Sequence, residues 1–307
     1  MLLRFICSVV TRSLFILISL IGVWRVVWVK NDKLFWLLTI LFLPLVVEMI
    51  LTLRRRKSKD CKWFSPPILL FLLSIIPSIW ILELHHHQNK HSYAKCNRLD
   101  SSENVKDFVQ HWRSSNATNE TDIYKFLKDS EKLLSSVCPN DWILALHQAL
   151  LLLLIVGKWL MPNEGGLTRD ELSQLLLIFV GTAADILEFT SETLSDVKDK
   201  SPVLVYIILA IWTWSMLQFP HNLTVLSSRT EECETQTDSL LSRHRTDFWA
   251  VIEALLIQDG PFLLVRLTVM IHFEIVHQML VFFAIKNFLV VALNVYRLWV
   301  ICWDSRS

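Results

Sequence analysis

The stretch Leu172–Leu194 constrains the fold most strongly, because it is apolar enough to enter a bilayer yet carries Asp185 and Glu188 in its second half. Residues three apart lie on one face of a helix, so the two carboxylates form one acidic stripe, which Glu192 is expected to extend. On insertion scales, a charged side chain at the centre of a membrane helix costs about 2.5–3.5 kcal/mol. Such a helix must turn its acidic stripe toward protein or water. We therefore expect the rest of the chain to supply basic partners and covering helices.

The apolar residues fall in blocks of about 20, the length that a helix needs to cross the roughly 30 Å hydrocarbon core of a bilayer. Hydrophobic residues make up 53% of the 307 residues, so we expect a membrane protein whose main partner is the lipid bilayer. Several of the 13 tryptophans lie at block ends, as in an interfacial aromatic belt. The net charge of +1 argues against a nucleic-acid partner. No motif indicates a cofactor or a particular protein partner.

The blocks predict an all-α, polytopic membrane protein with eight transmembrane helices. The predicted spans are Phe5–Trp24, Leu34–Leu53, Pro66–Leu84, Trp142–Leu160, Leu172–Leu194, Pro202–Phe219, Phe248–Ile271 and Val276–Cys302. The last two spans share one apolar block without a polar turn, which we divide near 272–276. If residues 248–258 lie in the membrane interface instead, the number of spans falls to seven and the C-terminus moves to the opposite side.

Charge predicts the orientation. The short loop Arg54–Lys62 carries six basic residues and one acidic residue, and short loops this basic stay on the cytosolic side. Eight spans then place both termini in the cytosol, in the plasma membrane or a membrane of the secretory pathway. The predicted segments are three spans in 1–84, an outer loop in 85–141, spans four to six in 142–219, a cytosolic linker in 220–247, and spans seven and eight with a short tail in 248–307.

The outer loop carries its own signals of an extracellular or lumenal position. Asn116 and Asn119 begin two sequons, which are glycosylated only on that face of the membrane. Cys96 and Cys138 bracket two predicted amphipathic helices and are candidate disulfide partners in an oxidising compartment, with two free thiols as the alternative. A third sequon, at Asn222, falls on the cytosolic side and is predicted to be unused.

The candidate site residues are the ionisable side chains inside the predicted spans: Asp185, Glu188, Asp259, Arg266, Lys286 and Arg12. Gly260-Pro261 is expected to break helical hydrogen bonding in the middle of its span, and such breaks often mark ion or substrate sites. Two interpretations remain open for these charges: a polar path for an ion, a proton or a lipid headgroup, or buried ion pairs that fix the order of the helices. Either interpretation allows Asp185 or Glu188 to pair with Arg266 or Lys286.

The sequence gives little support for a metal site or for an enzyme. The histidines at 85–87 and His91 lie beside Glu83, and this patch fits either a zinc site or the solvated edge of a loop, so no metal site is assigned. No nucleophile elbow, phosphate-binding glycine loop or zinc-protease helix is present, so no enzyme is expected.

Long strings of mixed polar and apolar residues resemble the transmembrane protein 26 family. The strings are KWFSP at 62–66, WILELHH at 80–86, the sequence 167–194, IWTWSMLQFP at 211–220, IQDGPFLLVR at 257–266 and QMLVFFAIKNFLVV at 278–291. The resemblance implies a multi-pass membrane protein and brings no catalytic or ligand-binding residue with it. Two function classes remain: a transport-type protein that uses the intramembrane charges, or a non-transporting receptor or scaffold that acts through the outer loop.

Overall fold

The protein is described here by a computed structural model that covers residues 2–55, 64–89, 137–160, 169–197, 201–220, 248 and 251–304. Within these ranges every regular element is a helix, which confirms the all-α fold. The outer-loop predictions at Cys96, Asn116 and Asn119 lie outside the described residues, as does the sequon at Asn222.

Eight helices account for the described ranges, and we number them in chain order. The first four are α1 (Leu2–Lys30), α2 (33–55), α3 (Pro66–Gln88) and α4 (Pro139–Leu160). The last four are α5 (169–197), α6 (Pro202–Met216), α7 (251–272) and α8 (Gln278–Asp304). Three of them change helical type: α2 begins as the 3₁₀ helix Lys33–Phe42, α5 contains the π-helical turn Phe189–Thr193, and α7 contains the π-helical turn Leu255–Asp259.

Seven of these helices are long and apolar enough to cross a membrane, with candidate spans of 19 to 26 residues. Helix α6 is apolar but has only 15 residues. At 1.5 Å per residue it reaches about 22 Å, which is less than the roughly 30 Å of a hydrocarbon core. The described chain therefore has seven long apolar helices and one short one, and the cytosolic position of both termini stays a prediction.

Two turns are set by polar residues beside helix ends. Asn31 takes the left-handed conformation (φ 51°), which Asn tolerates better than most residues, and it ends α1. Asp32 then caps α2, because its side chain accepts the backbone N–H two residues later at 2.9 Å. Between α7 and α8, Glu274 has φ 52° and His277 Nδ1 accepts the N–H three residues later at 3.3 Å. This non-helical turn, 273–277, confirms the predicted division of the last apolar block.

Helix α1 packs closely on α3 and α4. Phe15 stacks on Phe71 of α3, with ring centroids 4.3 Å apart and planes 6° apart. One turn later, the hydroxyls of Ser19 and Ser74 share a hydrogen bond of 2.9 Å. Gly157 of α4 lies so near that a Cβ there would be 2.6 Å from Phe15 Cζ. Small and hydroxyl-bearing residues at these contacts are typical of helices that pack within a membrane.

The chain divides into two compact units, of which Ile79–Ala149 is the smaller. Within it, Glu83 of α3 and His147 of α4 are buried, with Oε1 and Nε2 3.9 Å apart. Cys138, just before α4, is buried and disulfide-bonded. The pairing of Cys138 with Cys96 stays a prediction, because Cys96 lies outside the described residues.

Candidate functional site

The candidate site is a cluster of charged side chains contributed by α5, α7 and α8. On α5, Asp185 and Glu188 lie immediately before the π-helical turn. Arg266 of α7 donates a hydrogen bond to Glu188, and Lys286 of α8 donates one to Asp185. Both carboxylates of the acidic stripe thus have a basic partner on another helix, which is the pairing that the sequence allowed.

The two ion pairs differ in burial. In the Arg266–Glu188 pair the side chains are 1% and 14% exposed. In the Lys286–Asp185 pair they are 37% and 27% exposed. The first pair is therefore an interior contact, whereas the second reaches the surface of the described protein.

Arg266 is held from several sides. Its Nη1 donates to the backbone carbonyl of Phe283 at 3.3 Å, while its guanidinium lies 5.6 Å from the ring of Phe189 and 5.4 Å from the ring of Phe283. Aromatic faces attract cations, so these rings add to the attraction of Glu188. Beside its bond to Asp185, Lys286 lies 5.9 Å from the Phe283 ring and interacts electrostatically with Glu188 and Asp259. Arg266 is the more buried and Lys286 the more exposed of the two cations.

A third carboxylate lies within electrostatic range of the half-exposed pair. Asp259, half-buried on α7, interacts electrostatically with Asp185 and Lys286 but makes no hydrogen bond or ion pair with the described residues. Its neighbour Gln258 is buried and donates a long hydrogen bond of 3.5 Å to Asp185 Oδ2. The Oε1 of Gln258 in turn accepts from Gln218 Nε2 at 2.9 Å. The cluster thus holds three carboxylates against two cations, and two amides continue it toward the end of α6.

The expected break at Gly260-Pro261 takes the form of a π-helical turn, so the chain stays helical through 251–272. The N–H of Gly260 donates to the carbonyl of Leu255, five residues back. That leaves the Leu256 carbonyl without a helical donor, because the residue five later is Pro261 and has no N–H. Trp214 of α6 supplies the missing donor, since its Nε1 lies 3.2 Å from that carbonyl oxygen. Only glycine fits at 260, where a Cβ would lie 2.5 Å from the Leu255 oxygen.

The π-helical turn of α5 also has side-chain support. The hydroxyl of Thr190 donates to the carbonyls of Ile186 and Leu187, at 3.1 and 3.0 Å. The hydroxyl of Ser191 donates to the carbonyl of Glu188 at 3.3 Å. Hydroxyls that bond back to preceding carbonyls loosen and bend α-helices. Glu188 therefore lies where α5 changes from α-helical to π-helical hydrogen bonding, and Asp185 lies three residues earlier.

Arg12 does not join the cluster. It lies in α1 and pairs with Glu48 of α2, with Nε and Nη2 at 2.8 and 2.7 Å from the two carboxylate oxygens. The guanidinium also bonds Ser8 of its own helix. This fork-to-fork pair joins the first two helices and is a third ion pair within the candidate spans, separate from the cluster.

The histidine-rich patch shows no metal site in the part of the chain that is described. No group of three His, Cys, Asp or Glu side chains there could hold a metal ion. His85 shares a hydrogen bond of 2.9 Å with Asn89, and His91 lies outside the described residues.

Sequence reasoning missed the uncharged members of the site: Gln218, Gln258 and Trp214. A signal was present, because each is a polar or half-polar side chain inside an otherwise apolar string. The strings IWTWSMLQF and IQDGP contain these side chains within apolar sequence. Amides inside spans form hydrogen bonds between helices as readily as charges form pairs.

In the part of the chain that the structure describes, seven long apolar helices with charged pairs between them define a multi-pass integral membrane protein. The family model described as Transmembrane protein 26 matches residues 2–297, nearly the whole chain, and the protein belongs to that family. No solved structure matches the chain.

Proposed function

We propose that the protein is a transport-type membrane protein whose charge cluster lines a path for a proton or another small cation. The observation that carries this proposal is the half-exposed Lys286–Asp185 pair inside the candidate spans. Asp185 lies eight residues from the end of its span at Thr193, and Lys286 eight residues from the start of its span at Gln278, about 12 Å in each case. Charges at such depth face protein or water and avoid lipid tails. A water-filled cavity beside the pair would meet that need.

The balance of charge supports a positively charged permeant. Arg266 and Lys286 neutralise two of the three carboxylates in the cluster, which leaves the charge of Asp259 unmatched. A surplus carboxylate of this kind binds a proton or attracts a cation. An anion would be repelled by the same negative charge.

The test compares wild-type protein with Asp259→Asn in sealed proteoliposomes. Proton flux is read with a pH-sensitive dye inside the vesicles, and sodium and potassium flux with ion-selective dyes, each under an imposed gradient. We expect flux of one cation through the wild type and loss of most of it in Asp259→Asn. The matched control is the double variant Arg12→Gln/Glu48→Gln, which neutralises an ion pair outside the cluster and should keep its flux.

Equal flux in wild type and Asp259→Asn would contradict the cation path. Absence of flux in every arm would support the rival class, a non-transporting receptor or scaffold. The observation that favours this rival is that both cations of the cluster are paired with carboxylates, which is also what a purely structural clamp between helices requires.

We further propose that both termini lie in the cytosol and that residues 85–141 lie on the outer side, with glycans at Asn116 or Asn119. The proposed location is the plasma membrane or a membrane of the secretory pathway. We also propose that the protein has no enzymatic activity. Charge asymmetry around Arg54–Lys62 supports this topology. Glycosidase treatment should lower the apparent mass of the wild type but not of Asn116→Gln/Asn119→Gln, whereas Asn222→Gln should behave as wild type. A mass shift that depends on Asn222 would reverse the topology around α6.

A further inference from the structure

Helices α5 and α7 contact each other at steps of four residues. Gln258 of α7 donates to Asp185 of α5, and four residues further along both helices Phe262 stacks on Phe189. Because the contacts advance in the same direction on both helices, the two helices run parallel here. Residues four apart lie on the same face of a helix, so the next position on each helix should again face the other helix.

The next positions are Thr193 on α5 and Arg266 on α7, and both side chains are fully buried, at 0% and 1% exposed. Thr193 is the last residue of the π-helical turn of α5. Neither Thr193 Oγ1 nor Arg266 Nε has a hydrogen-bond partner among the described residues. Buried polar groups in folded proteins are nearly always hydrogen-bonded. These two atoms, on facing positions of two packed helices, therefore need a partner that the described side chains do not supply.

The unbonded N–H of Arg266 points toward α5. In an arginine, Nε and Nη2 lie on one edge of the guanidinium and donate to the same side. Arg12 shows this arrangement, because its Nε and Nη2 bond the two carboxylate oxygens of Glu48 at 2.8 and 2.7 Å. In Arg266 only Nη2 bonds its carboxylate, at Oε2 of Glu188. The Nε–H of Arg266 is therefore directed to the side of Glu188, which is also the side of α5.

We propose that one internal water molecule is bound between Arg266 Nε, Thr193 Oγ1 and Glu188 Oε1. The water accepts a hydrogen bond from the Nε–H, shares one with the hydroxyl and donates one to the carboxylate. Oε1 of Glu188 makes no hydrogen bond with the described residues, so it is available as the acceptor. Three hydrogen bonds are typical of a buried water. Glu188 is 14% exposed, which gives water a route to the two fully buried groups.

An ion fits this site less well than water does. A cation would be repelled by the guanidinium of Arg266, whose N–H can only donate. An anion would lie beside Glu188, in a cluster that already holds three carboxylates against two cations. A neutral molecule that both donates and accepts hydrogen bonds meets the needs of all three groups.

The inference rests on the proposed cation path and extends it. Thr193 is the last residue of the candidate span of α5. The bound water therefore continues the series of polar groups from the half-exposed Lys286–Asp185 pair, past Glu188, to one end of that span. Without the water, the series would stop at the Arg266–Glu188 pair.

Solid-state NMR of the full-length protein in lipid bilayers tests the water directly. Arginine is labelled with ¹⁵N, and the Nε–H signals of Arg266 and Arg12 are assigned through their backbone resonances. We expect a cross-peak between water and the Nε–H of Arg266. The Nε–H of Arg12 should show none, because that donor bonds Glu48 directly. Arg12 is therefore an internal reference in the same sample, and its side chain is similarly buried, at 3% exposed.

Two variants test the hydroxyl. Thr193→Val keeps the shape of the side chain but removes its hydroxyl, so the water cross-peak of Arg266 should be lost. Thr268→Val is the matched control on α7. Thr268 is exposed and its hydroxyl donates to the carbonyl of Leu264 in its own helix at 2.8 Å, so this variant should keep the cross-peak.

Absence of the water cross-peak at Arg266 in the wild type would overturn the bound water, and this result does not depend on the folding of any variant. A cross-peak to the hydroxyl of Thr193 alone would also overturn it, because the two side chains would then bond each other directly. A water cross-peak that persists in Thr193→Val would overturn the part assigned to the hydroxyl.

The NMR result is independent of transport. A water cross-peak in a protein that carries no cation would support the bound water and overturn the cation path, whereas flux without the cross-peak would do the reverse. In the proteoliposome assay, Thr193→Val should lose most of the flux and Thr268→Val should keep it. Full flux in Thr193→Val would overturn the extension of the path to Thr193.

Discussion

Phe189 and Phe262 stack face to face, with ring centroids 4.0 Å apart and planes 5° apart. Phe189 is the first residue of the π-helical turn of α5, and Phe262 lies in the first turn after the π-helical turn of α7. Both rings are buried. The stack therefore joins α5 and α7 at the two places where their regular hydrogen bonding changes, directly beside the guanidinium of Arg266.

A double-mutant cycle should detect this stack. We expect Phe189→Leu and Phe262→Leu each to destabilise the protein, with a coupling of about 0.5–1.5 kcal/mol between them, because aromatic pairs contribute this much beyond their buried area. Thermal unfolding in detergent micelles measures the three variants against wild type. Strictly additive losses would mean that the two rings act only as separate apolar side chains.

The buried ion pair should be sensitive to loss of one partner. Glu188→Gln leaves the guanidinium of Arg266 buried without its carboxylate, and breaking such a pair costs about 3–5 kcal/mol. We expect a low yield of monodisperse protein and a clearly lower midpoint of thermal unfolding. The charge swap Glu188→Arg/Arg266→Glu should recover much of the loss, since it restores the pair in reverse.

Failure of that swap to improve on both single variants would contradict the pairing of Glu188 with Arg266. The neutral double variant Glu188→Gln/Arg266→Gln provides a second comparison. It removes both charges and should be more stable than Glu188→Gln, because no isolated charge stays buried.

Loss of one partner should destabilise the protein less at the half-exposed Lys286–Asp185 pair than at the buried Arg266–Glu188 pair. In Lys286→Gln the remaining carboxylate of Asp185 keeps access to the surface and its hydrogen bond from Gln258. Exposed ion pairs contribute about 0–1 kcal/mol, so the midpoint of unfolding should fall much less than in Arg266→Gln. An equal or larger fall for Lys286→Gln would show that the pair is desolvated in the assembled protein, against the cavity that the cation path requires.

The sequence was sufficient to predict most of the helices and the kind of partner that the acidic stripe needs. Apolar blocks of membrane length are dictated by the thickness of the bilayer, and charges inside them are too costly to remain unpaired. The expectation that Asp185 and Glu188 meet basic residues of α7 and α8 follows from that cost alone. Helix α6 was predicted as a full span, and its 15 residues show that apolar composition alone does not fix the length of a helix.

The finer geometry could not be predicted, because it depends on π-helical turns. Glu192 is seven residues from Asp185, and an uninterrupted α-helix would place both on one face. Glu192 lies inside the π-helical turn Phe189–Thr193, which changes the register. Among the described residues, Glu192 makes no ion pair of the kind that Asp185 and Glu188 each make. The π-helical turn of α7 has the same effect, so the sequence alone does not predict which of Gln258 and Asp259 faces the cluster.

Two glycines inside the spans give a last, paired prediction. Gly157→Ala would place a Cβ 2.6 Å from Cζ of Phe15, and that ring cannot easily move because it is fully buried and stacked on Phe71. Overpacking of this kind costs about 1–3 kcal/mol, so the midpoint of unfolding should fall. Gly181→Ala meets no neighbour and replaces a poor helix former by the best one, which should be neutral or stabilise by up to about 1 kcal/mol.

A second substitution, at Phe15, tests whether the clash causes the loss of stability in Gly157→Ala. Phe15→Leu removes the ring atoms that the new methyl group would meet, at the cost of the stack on Phe71. If the clash is the cause, the double variant Gly157→Ala/Phe15→Leu should be no less stable than Phe15→Leu alone, as measured by thermal unfolding in the same detergent. A further loss in the double variant would mean that Gly157 is needed for its backbone and not for the close approach of α1 to α4.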